Sequence, residues 1–179
     1  RFKEEDSITE EEIITMVEEA EEDGTLKEEE KNLIRSVIEF DDLDVSDIIV
    51  PRVNIVAVDK NDSIADVKKT FEQSGFSRLP VYEGDVDSII GTIHEKDFYR
   101  NISETDSNFK KIIKKPFFVT SHTKISKLLK QMQKEKTHIA IVLDEYGGTA
   151  GLVTMEDILE ELVGEIYDVL KKSDSWKPY

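Results

Sequence analysis

The sequence has no cysteine among its 179 residues. It therefore has neither a disulfide framework nor thiolate chemistry, which favours a cytoplasmic setting. No apolar run approaches the roughly 20 residues needed to cross a bilayer, so we expect this chain to be soluble. The chain begins at Arg1 and shows no signal-peptide pattern, so we expect a fragment of a longer protein that could carry a membrane segment elsewhere.

Basic residues are scarce relative to acidic ones. Lys and Arg total 24, Asp and Glu total 40, and the formal net charge is −16. Such a surface repels polyanions, which argues against nucleic acid and anionic lipid as main partners. A small anionic ligand could still bind where backbone N–H groups and one or two cations meet in a local pocket.

The sequence patterns of common enzymes and metal sites are also absent. The chain has no Walker A loop, dinucleotide fingerprint or nucleophile elbow, so we do not expect an enzyme. Its histidines, His94, His122 and His138, share no metal-ligand spacing. Acidic residues around Gly24 imitate a calcium loop, but Lys27 stands at a coordinating position. A solvated helix pair that turns at Gly24 is the preferred interpretation.

From about residue 47 the chain repeats itself, and the repeat predicts the fold. Two spacings recur in both copies: Val58 to Ile64 with Val119 to Ile125, and Gly91 to Asp97 with Gly151 to Asp157. Each copy reads as strand, helix, two strands and helix. We therefore predict an α/β (α+β) fold of two pseudo-twofold-related β-α-β-β-α units, packed sheet to sheet after a short helical arm. The predicted bounds are 1–46 for the acidic arm, 47–107 for unit 1 and 108–179 for unit 2 with its C-terminal helix.

Local signals place the elements of the two copies. In the first, strands are expected at 55–58, 79–82 and 89–93, with a helix that Ser63 caps and Gly75 ends. In the second, strands are expected at 117–119 and 139–143, followed by a turn at 144–148. The arm carries apolar residues at the spacing of one buried helical face: Leu33, Ile34, Val37, Ile38 and Phe40. A unit of about 60 residues buries little apolar surface alone, which favours packing of the two copies.

Residues 151–157 form the sharpest local motif, because Thr154 and Asp157 stand where a helix follows a strand. Thr-x-x-Asp is a capping box in its own right, with both side chains satisfying backbone N–H groups. The same place is also suited to an anion, since a helix N-terminus presents free N–H groups. A threonine hydroxyl could donate to a phosphate there, and an aspartate could accept from a ribose.

The repeated pattern, a strand and then G-h-x-T-x-x-D opening a helix, resembles the CBS domain pair, or Bateman module. Residues 144–151 and 160–166 resemble more specifically the CorC/HlyC (cyclin-M-like) family of magnesium transport and efflux proteins. Residues 49–52 match that family's M-x-P-R segment, and residues 77–82 its S/T-R-h-P-V-h segment. The similarity covers roughly residues 8–168.

The resemblance implies a cytosolic regulatory module of a membrane ion transport protein, with magnesium as the expected ion. It implies an adenine nucleotide, ATP or AMP and possibly with Mg²⁺, in a cleft between the units. The nucleotide-binding residues it implies are Val56 at the adenine, Ser77, Arg78 and Pro80 in the phosphate-facing segment, His138 beside the phosphates, and Thr154 and Asp157 at phosphate and ribose. It further implies a membrane domain and a C-terminal CorC-type domain in the parent chain, a homodimer, and the cytoplasmic face of the plasma membrane.

The pseudo-symmetric cleft departs from this pattern. His94 stands where the threonine is expected and Ile139 where Arg78 would be, so we predict one working site and one vestigial site. Glu160, Glu161 and Glu165 read as a solvated helix face, with a magnesium role as the alternative. The rival function is a passive dimerisation scaffold of the transporter with no nucleotide bound.

Overall fold

The structure, a computed structural model, describes residues 7–103 and 108–164. Glu165, with the rest of the C-terminal sequence, lies outside the described residues. The helices and strands are α1 (Glu10–Glu22), α2 (Glu28–Phe40), α3 (Val45–Ile48), β1 (Val50–Pro51), β2 (Val58–Asp59), α4 (Ile64–Ser74), β3 (Arg78–Glu83), β4 (Asp85–His94), α5 (Glu95–Ser103), β5 (Phe118–Thr120), α6 (Ile125–Glu135), β6 (Ile139–Leu143), β7 (Thr149–Thr154) and α7 (Met155–Val163). Short 3₁₀ helices lie at Arg52–Asn54 and Phe109–Ile112. Among the described residues, no helix has the length and apolar character of a membrane span.

The chain divides into two compact units, one of which is helical. The helical unit holds the described residues 7–43 and 156–164. Helix α1 starts in a capping box, in which the Thr9 hydroxyl accepts from the Glu12 N–H at 3.2 Å. The two predicted arm helices are confirmed, but one prediction about their apolar face is wrong: Val37 is 53% exposed, whereas Phe40 is buried.

The second unit, Asp44–Met155, contains both sheets. One sheet has the order β2-β3-β4 and the other β1-β7-β6-β5. In each sheet a first strand runs parallel to the next strand of its repeat, and that strand forms an antiparallel hairpin with the third. Helices α4 and α6 are the crossovers that such parallel pairs require. The predicted fold class is thereby confirmed.

Each crossover helix buries one apolar stripe. Val67 and Phe71 of α4 are buried, as are Leu128 and Met132 of α6. The Ser63 hydroxyl caps α4 by accepting from the Asp66 N–H at 3.1 Å. At the other end Gly75 adopts φ 67°, the left-handed conformation that ends a helix.

The segment that precedes each repeat pairs with the sheet of the other repeat. Strand β1, which precedes the first repeat, pairs with β7 of the second. In the same way Lys114, which precedes the second repeat, forms a bridge to Thr92 of β4. A Cβ on Gly151 would lie 2.2 Å from the Val50 carbonyl oxygen, and one on Gly91 would lie 2.4 Å from that of Lys114. Each of these two positions therefore requires glycine, because the backbone of the paired segment leaves no room for a side chain.

The two sheets also meet through apolar side chains. Ile139, Ile141 and Leu152 of the second repeat form one buried cluster with Ile89 of the first. Ile55, next in sequence to Val56, packs against the same cluster. The segment that leads into β2 therefore lies at the junction of the two repeats.

Candidate functional site

Arg78 begins β3 and is the main cation of the candidate site. It is half-buried, and Ser77 before it is exposed. Within the described ranges, no carboxylate lies within ion-pair distance of its guanidinium. In a chain with a net charge of −16, a half-buried arginine without a carboxylate partner leaves local positive charge for an anion.

Pro80 removes a backbone hydrogen bond from the first repeat that is present between the equivalent segments of the second. In the second repeat the Ile141 N–H donates to the Phe117 carbonyl at 2.7 Å. By the register of β2 with β3 and of β5 with β6, Pro80 and Val56 occupy the equivalent positions. Proline has no N–H, so that bond cannot form in the first repeat.

One prediction about this segment is wrong, and the proline leaves a backbone carbonyl without its strand donor. The strand expected at 55–58 extends only over Val58–Asp59. The Val56 carbonyl lacks the donor that its counterpart has, while the Val56 side chain is half-buried against the core of the first repeat. The carbonyl and side chain of Val56 thus offer an acceptor beside an apolar surface, which suits a flat heterocycle with an amino group.

His138 and Thr154 lie together at the equivalent end of the second sheet. Thr154 ends β7, is half-buried and pairs with Ile139, the residue after His138. The His138 carbonyl accepts from the Met155 N–H at 2.9 Å, just as the Ser77 carbonyl accepts from the Glu95 N–H at 2.8 Å. Each helix that follows a hairpin is therefore anchored at its first residue by the same backbone contact.

Asp157 lies in the first turn of α7 and is half-buried. A carboxylate there is favoured by the positive end of the helix. Glu156 precedes it in the same turn and is exposed.

The pseudo-symmetric positions carry different chemistry. Ile139 is buried where the first repeat has Arg78. His94 ends β4 and pairs in register with Arg78. Burial, and then the charge of Arg78, lower the pKa of His94 below its usual range, while the charge of Asp97 acts in the opposite direction. Asp97 itself forms an ion pair with Lys114 at 3.2 Å.

A polar cluster that the sequence did not indicate ties the two sheets at the turn end of the hairpins. Thr149 of β7 is buried, and its hydroxyl donates to the Val86 carbonyl at 2.6 Å. The Thr149 N–H donates to the Asp87 carboxylate at 3.0 Å. The same carboxylate oxygen also accepts a hydrogen bond from the Arg52 guanidinium. Residues so far apart in sequence give no local signal, although Arg52 belongs to the recognised 49–52 segment.

The helical unit contains a separate acidic groove of about 450 Å³ between α2 and α7. Its lining includes the carboxylates of Glu39, Glu160 and Glu161. Across residues 7–103 and 108–164, no group of three or more His, Cys, Asp or Glu side chains could hold a metal ion. The acidic imitation of a calcium loop is a helix pair here, in which Glu21 bonds Lys31 at 2.9 Å.

Two copies of one strand–helix–hairpin unit, each contributing a segment to the other's sheet, define a tandem-repeat α/β module. The CBS domain model matches residues 45–104 and 109–164. The structure of the CBS domain of the bacterial CNNM/CorC family Mg²⁺ transporter matches with a TM-score of 0.82 and 39% identity, over 90% of this chain and 100% of that one. The chain therefore belongs to the CBS domain family, as a CBS pair of the CNNM/CorC type.

Two similar structures contain nucleotides. The CBS domain of the bacterial CNNM/CorC family Mg²⁺ transporter in complex with ATP has a TM-score of 0.70 and 38% identity, covering 74% of this chain and 95% of that chain. A CBS-domain pair from Klebsiella pneumoniae with bound AMP has a TM-score of 0.60 and 36% identity, covering 68% of this chain and 99% of that chain.

The curated relatives are longer proteins. UPF0053 protein YrkA of Bacillus subtilis is 40% identical over 172 residues, which are 93% of this chain and 40% of that protein. Hemolysin C of Brachyspira hyodysenteriae is 38% identical over 151 residues, which are 84% of this chain and 56% of that protein. The chain thus spans about half the length, or less, of these relatives.

Proposed function

We propose that this CBS pair is the cytosolic regulatory module of a CNNM/CorC-type membrane transport protein and that it binds an adenine nucleotide. Arg78 carries the proposal, because it is a half-buried arginine with no carboxylate partner among the described residues of an acidic chain. Phosphate is the anion that a planar guanidinium binds well, through two parallel N–H donors. Ser77, exposed beside it, supplies a hydroxyl for a further phosphate oxygen.

The base of the nucleotide would lie against Val56. Adenine carries an exocyclic amine that donates hydrogen bonds, and the Val56 carbonyl lacks its strand donor because Pro80 has no N–H. The half-buried Val56 side chain would cover one face of the ring. This arrangement favours adenine over bases that present a carbonyl at the same position.

The second repeat would complete the site. Thr154 can donate its hydroxyl to phosphate, and the carboxylate of Asp157 can accept from both hydroxyls of a ribose. His138, exposed and next to the strand pair that ends at Thr154, would border the phosphates. The nucleotides in the ATP and AMP complexes of similar CBS pairs support this choice of ligand.

The two clefts should differ in strength. The equivalent cleft has Ile139 in place of the arginine and His94 in place of the threonine, and its Asp97 is engaged by Lys114. We propose that it binds nucleotide weakly or not at all. A titration that fits two equal sites would contradict this asymmetry.

Regulation would follow from a ligand that favours one arrangement of the two repeats. The magnesium ion of the parent, its membrane and CorC-type domains, a homodimer of the modules and a location at the cytoplasmic face of the plasma membrane belong to the same proposal. Helices α1 and α2 would be the link through which the module acts on the membrane part. The domain bounds at 46/47 and 107/108 stay predictions.

Calorimetric titration with ATP and with AMP, each with and without Mg²⁺, tests the proposal. Arg78→Ala and Asp157→Ala each remove a charge-assisted set of hydrogen bonds of roughly 1.5–3 kcal/mol, so affinity should fall about tenfold to a hundredfold. Arg35→Ala is the matched control, because Arg35 is an exposed arginine of α2 that bonds Glu39 at 3.0 Å. If wild-type protein binds neither nucleotide while forming a stable dimer, the passive scaffold replaces the sensor.

A further inference from the structure

His94 and Arg78 are direct neighbours, although the sequence pattern assigns them to different clefts. His94 ends β4 and lies opposite Arg78 of β3 in the antiparallel register. Directly opposite residues of such a pair project from the same face of the sheet, with Cβ atoms about 5 Å apart. A group that binds the Arg78 guanidinium is therefore within reach of the His94 imidazole.

The tautomer of the neutral imidazole is fixed by the start of α5. The Nδ1 atom of His94 accepts a hydrogen bond from the Lys96 N–H at 3.0 Å. Neutral imidazole carries one N–H, so the proton must be on Nε2. His94 in its neutral form is thus a hydrogen-bond donor beside Arg78.

Positive charge surrounds this imidazole. Burial and Arg78 of β3 lower the pKa of His94, and Lys114, which bridges to β4, and Lys96 of α5 add to that effect. Asp97 of α5 raises the pKa, but its carboxylate is shared with Lys114 at 3.2 Å. A phosphate bound at Arg78 would bring negative charge to these cations and would oppose their effect on the pKa of His94, while the effect of burial, the first cause, would remain.

We propose that His94 is a second phosphate-binding side chain beside Arg78, and that nucleotide binding is coupled to uptake of one proton by its imidazole. The inference rests on the proposed nucleotide function. Affinity should then increase as the pH falls, toward a limit of about tenfold for each unit by which bound phosphate raises the pKa of His94. His94, a residue of the vestigial cleft, would thereby change the nucleotide affinity of the working cleft, although the vestigial cleft itself holds no nucleotide.

Proton NMR of the three histidine imidazoles tests the coupling directly, because the chain has only His94, His122 and His138. Their titration curves are recorded between pH 5 and 8.5, with and without saturating ATP. His94→Gln and His122→Gln assign the signals. His122, exposed in the turn before α6, is also the matched control. We expect ATP to raise the pKa of His94 by about one unit, with the His122 signals as the internal control.

ATP affinity measured at pH 6 and pH 8 gives the second readout. Wild type and His122→Gln should gain severalfold more on acidification than His94→Gln, less than the tenfold limit because pH 6 does not lie well below the pKa of the free imidazole. The comparison cancels titration of the nucleotide itself. If wild type binds ATP but His94 does not shift, or only His138 shifts, the inference is wrong while the sensor function stands. If wild type does not bind ATP at all, both are wrong.

Discussion

Replacement of Thr149 by valine should measure how much the polar cluster at the turn end holds the two repeats together. Among the described residues, Thr149 is the polar residue that is buried. Its hydroxyl donates to the Val86 carbonyl at 2.6 Å. Valine has nearly the same shape, so the change creates no cavity but leaves the part-buried Val86 carbonyl without its donor. The expected loss is about 1–3 kcal/mol of unfolding free energy, which corresponds to about 2–4 °C in Tm for each kcal/mol.

Urea unfolding followed by circular dichroism is the assay, with the midpoint read at an unchanged m-value. Thr149→Ser keeps the hydroxyl and should retain more stability than Thr149→Val. The matched control is Thr70→Val, because the Thr70 hydroxyl bonds the Asp66 carbonyl on the exposed face of α4. The reasoning would be refuted by a Thr149→Val protein within about 0.5 kcal/mol of wild type, the range of ordinary surface substitutions.

Asp87→Asn separates the charge of the cluster from its hydrogen bonds. The amide oxygen can still accept from the Thr149 N–H, while the charge that attracts Arg52 is lost. Both side chains of that ion pair are nearly half exposed, at 41% and 48%. Exposed pairs contribute at most about 1 kcal/mol, so Asp87→Asn should cost less than Thr149→Val.

Two further changes test the fold and the surroundings of the site. Gly151→Ala should cost at least about 1–3 kcal/mol in urea unfolding, because the new Cβ would lie 2.2 Å from the Val50 carbonyl oxygen and would displace β1 from β7; a protein as stable as wild type would contradict that close packing. Without nucleotide, the lowered pKa of His94 means that the unfolded chain takes up the proton first, so stability should fall as the pH drops from about 6.5 through the lower folded value. Thermal unfolding between pH 5 and 8 should show a smaller acid loss for His94→Gln than for His122→Gln, and equal losses would show that His94 is not the group responsible.

Local sequence signals were sufficient to predict the repeated unit. The Ser63 cap and the Gly75 stop of α4 each depend on neighbours within a few residues, and the structure confirms them. The strand expected at 139–143 is confirmed over Ile139–Leu143. The ends of the second crossover helix differ, because α6 has Lys124 without a side-chain cap at its start and Lys136 at its end.

Features that depend on distant pairing could not be predicted from the sequence. Strand β1 is two residues long and pairs with β7, about 100 residues later in the sequence. A strand this short has no apolar periodicity from which it could be predicted. Strand β2 starts one residue later than the equivalent strand β5, and Pro80 on its neighbouring strand removes one N–H donor at that point. The pairing of His94 with Arg78 likewise needs the register of β3 with β4. The sequence pattern alone places His94 and Arg78 in separate clefts, and it does not show that they are opposite each other in the sheet.

Under the proposed function, one shared backbone would carry two different sites. Their strands, crossover helices and anchoring contacts correspond, so a difference in ligand binding must come from a few side chains. Pro80 in place of Ile141 leaves the Val56 carbonyl without a strand donor, and Arg78 in place of Ile139 adds a cation. Both changes lie in the first repeat, on the strand that pairs with His94.

The path from such a site into the rest of the sheet-containing unit is short. Val56 follows the 3₁₀ helix Arg52–Asn54, whose first residue bonds Asp87 of β4. That 3₁₀ helix in turn follows β1, which belongs to the sheet of the second repeat. A ligand that repositions Val56 must therefore act on a segment held by both sheets. It can shift their arrangement only by the difference in its affinity for the two positions of that segment.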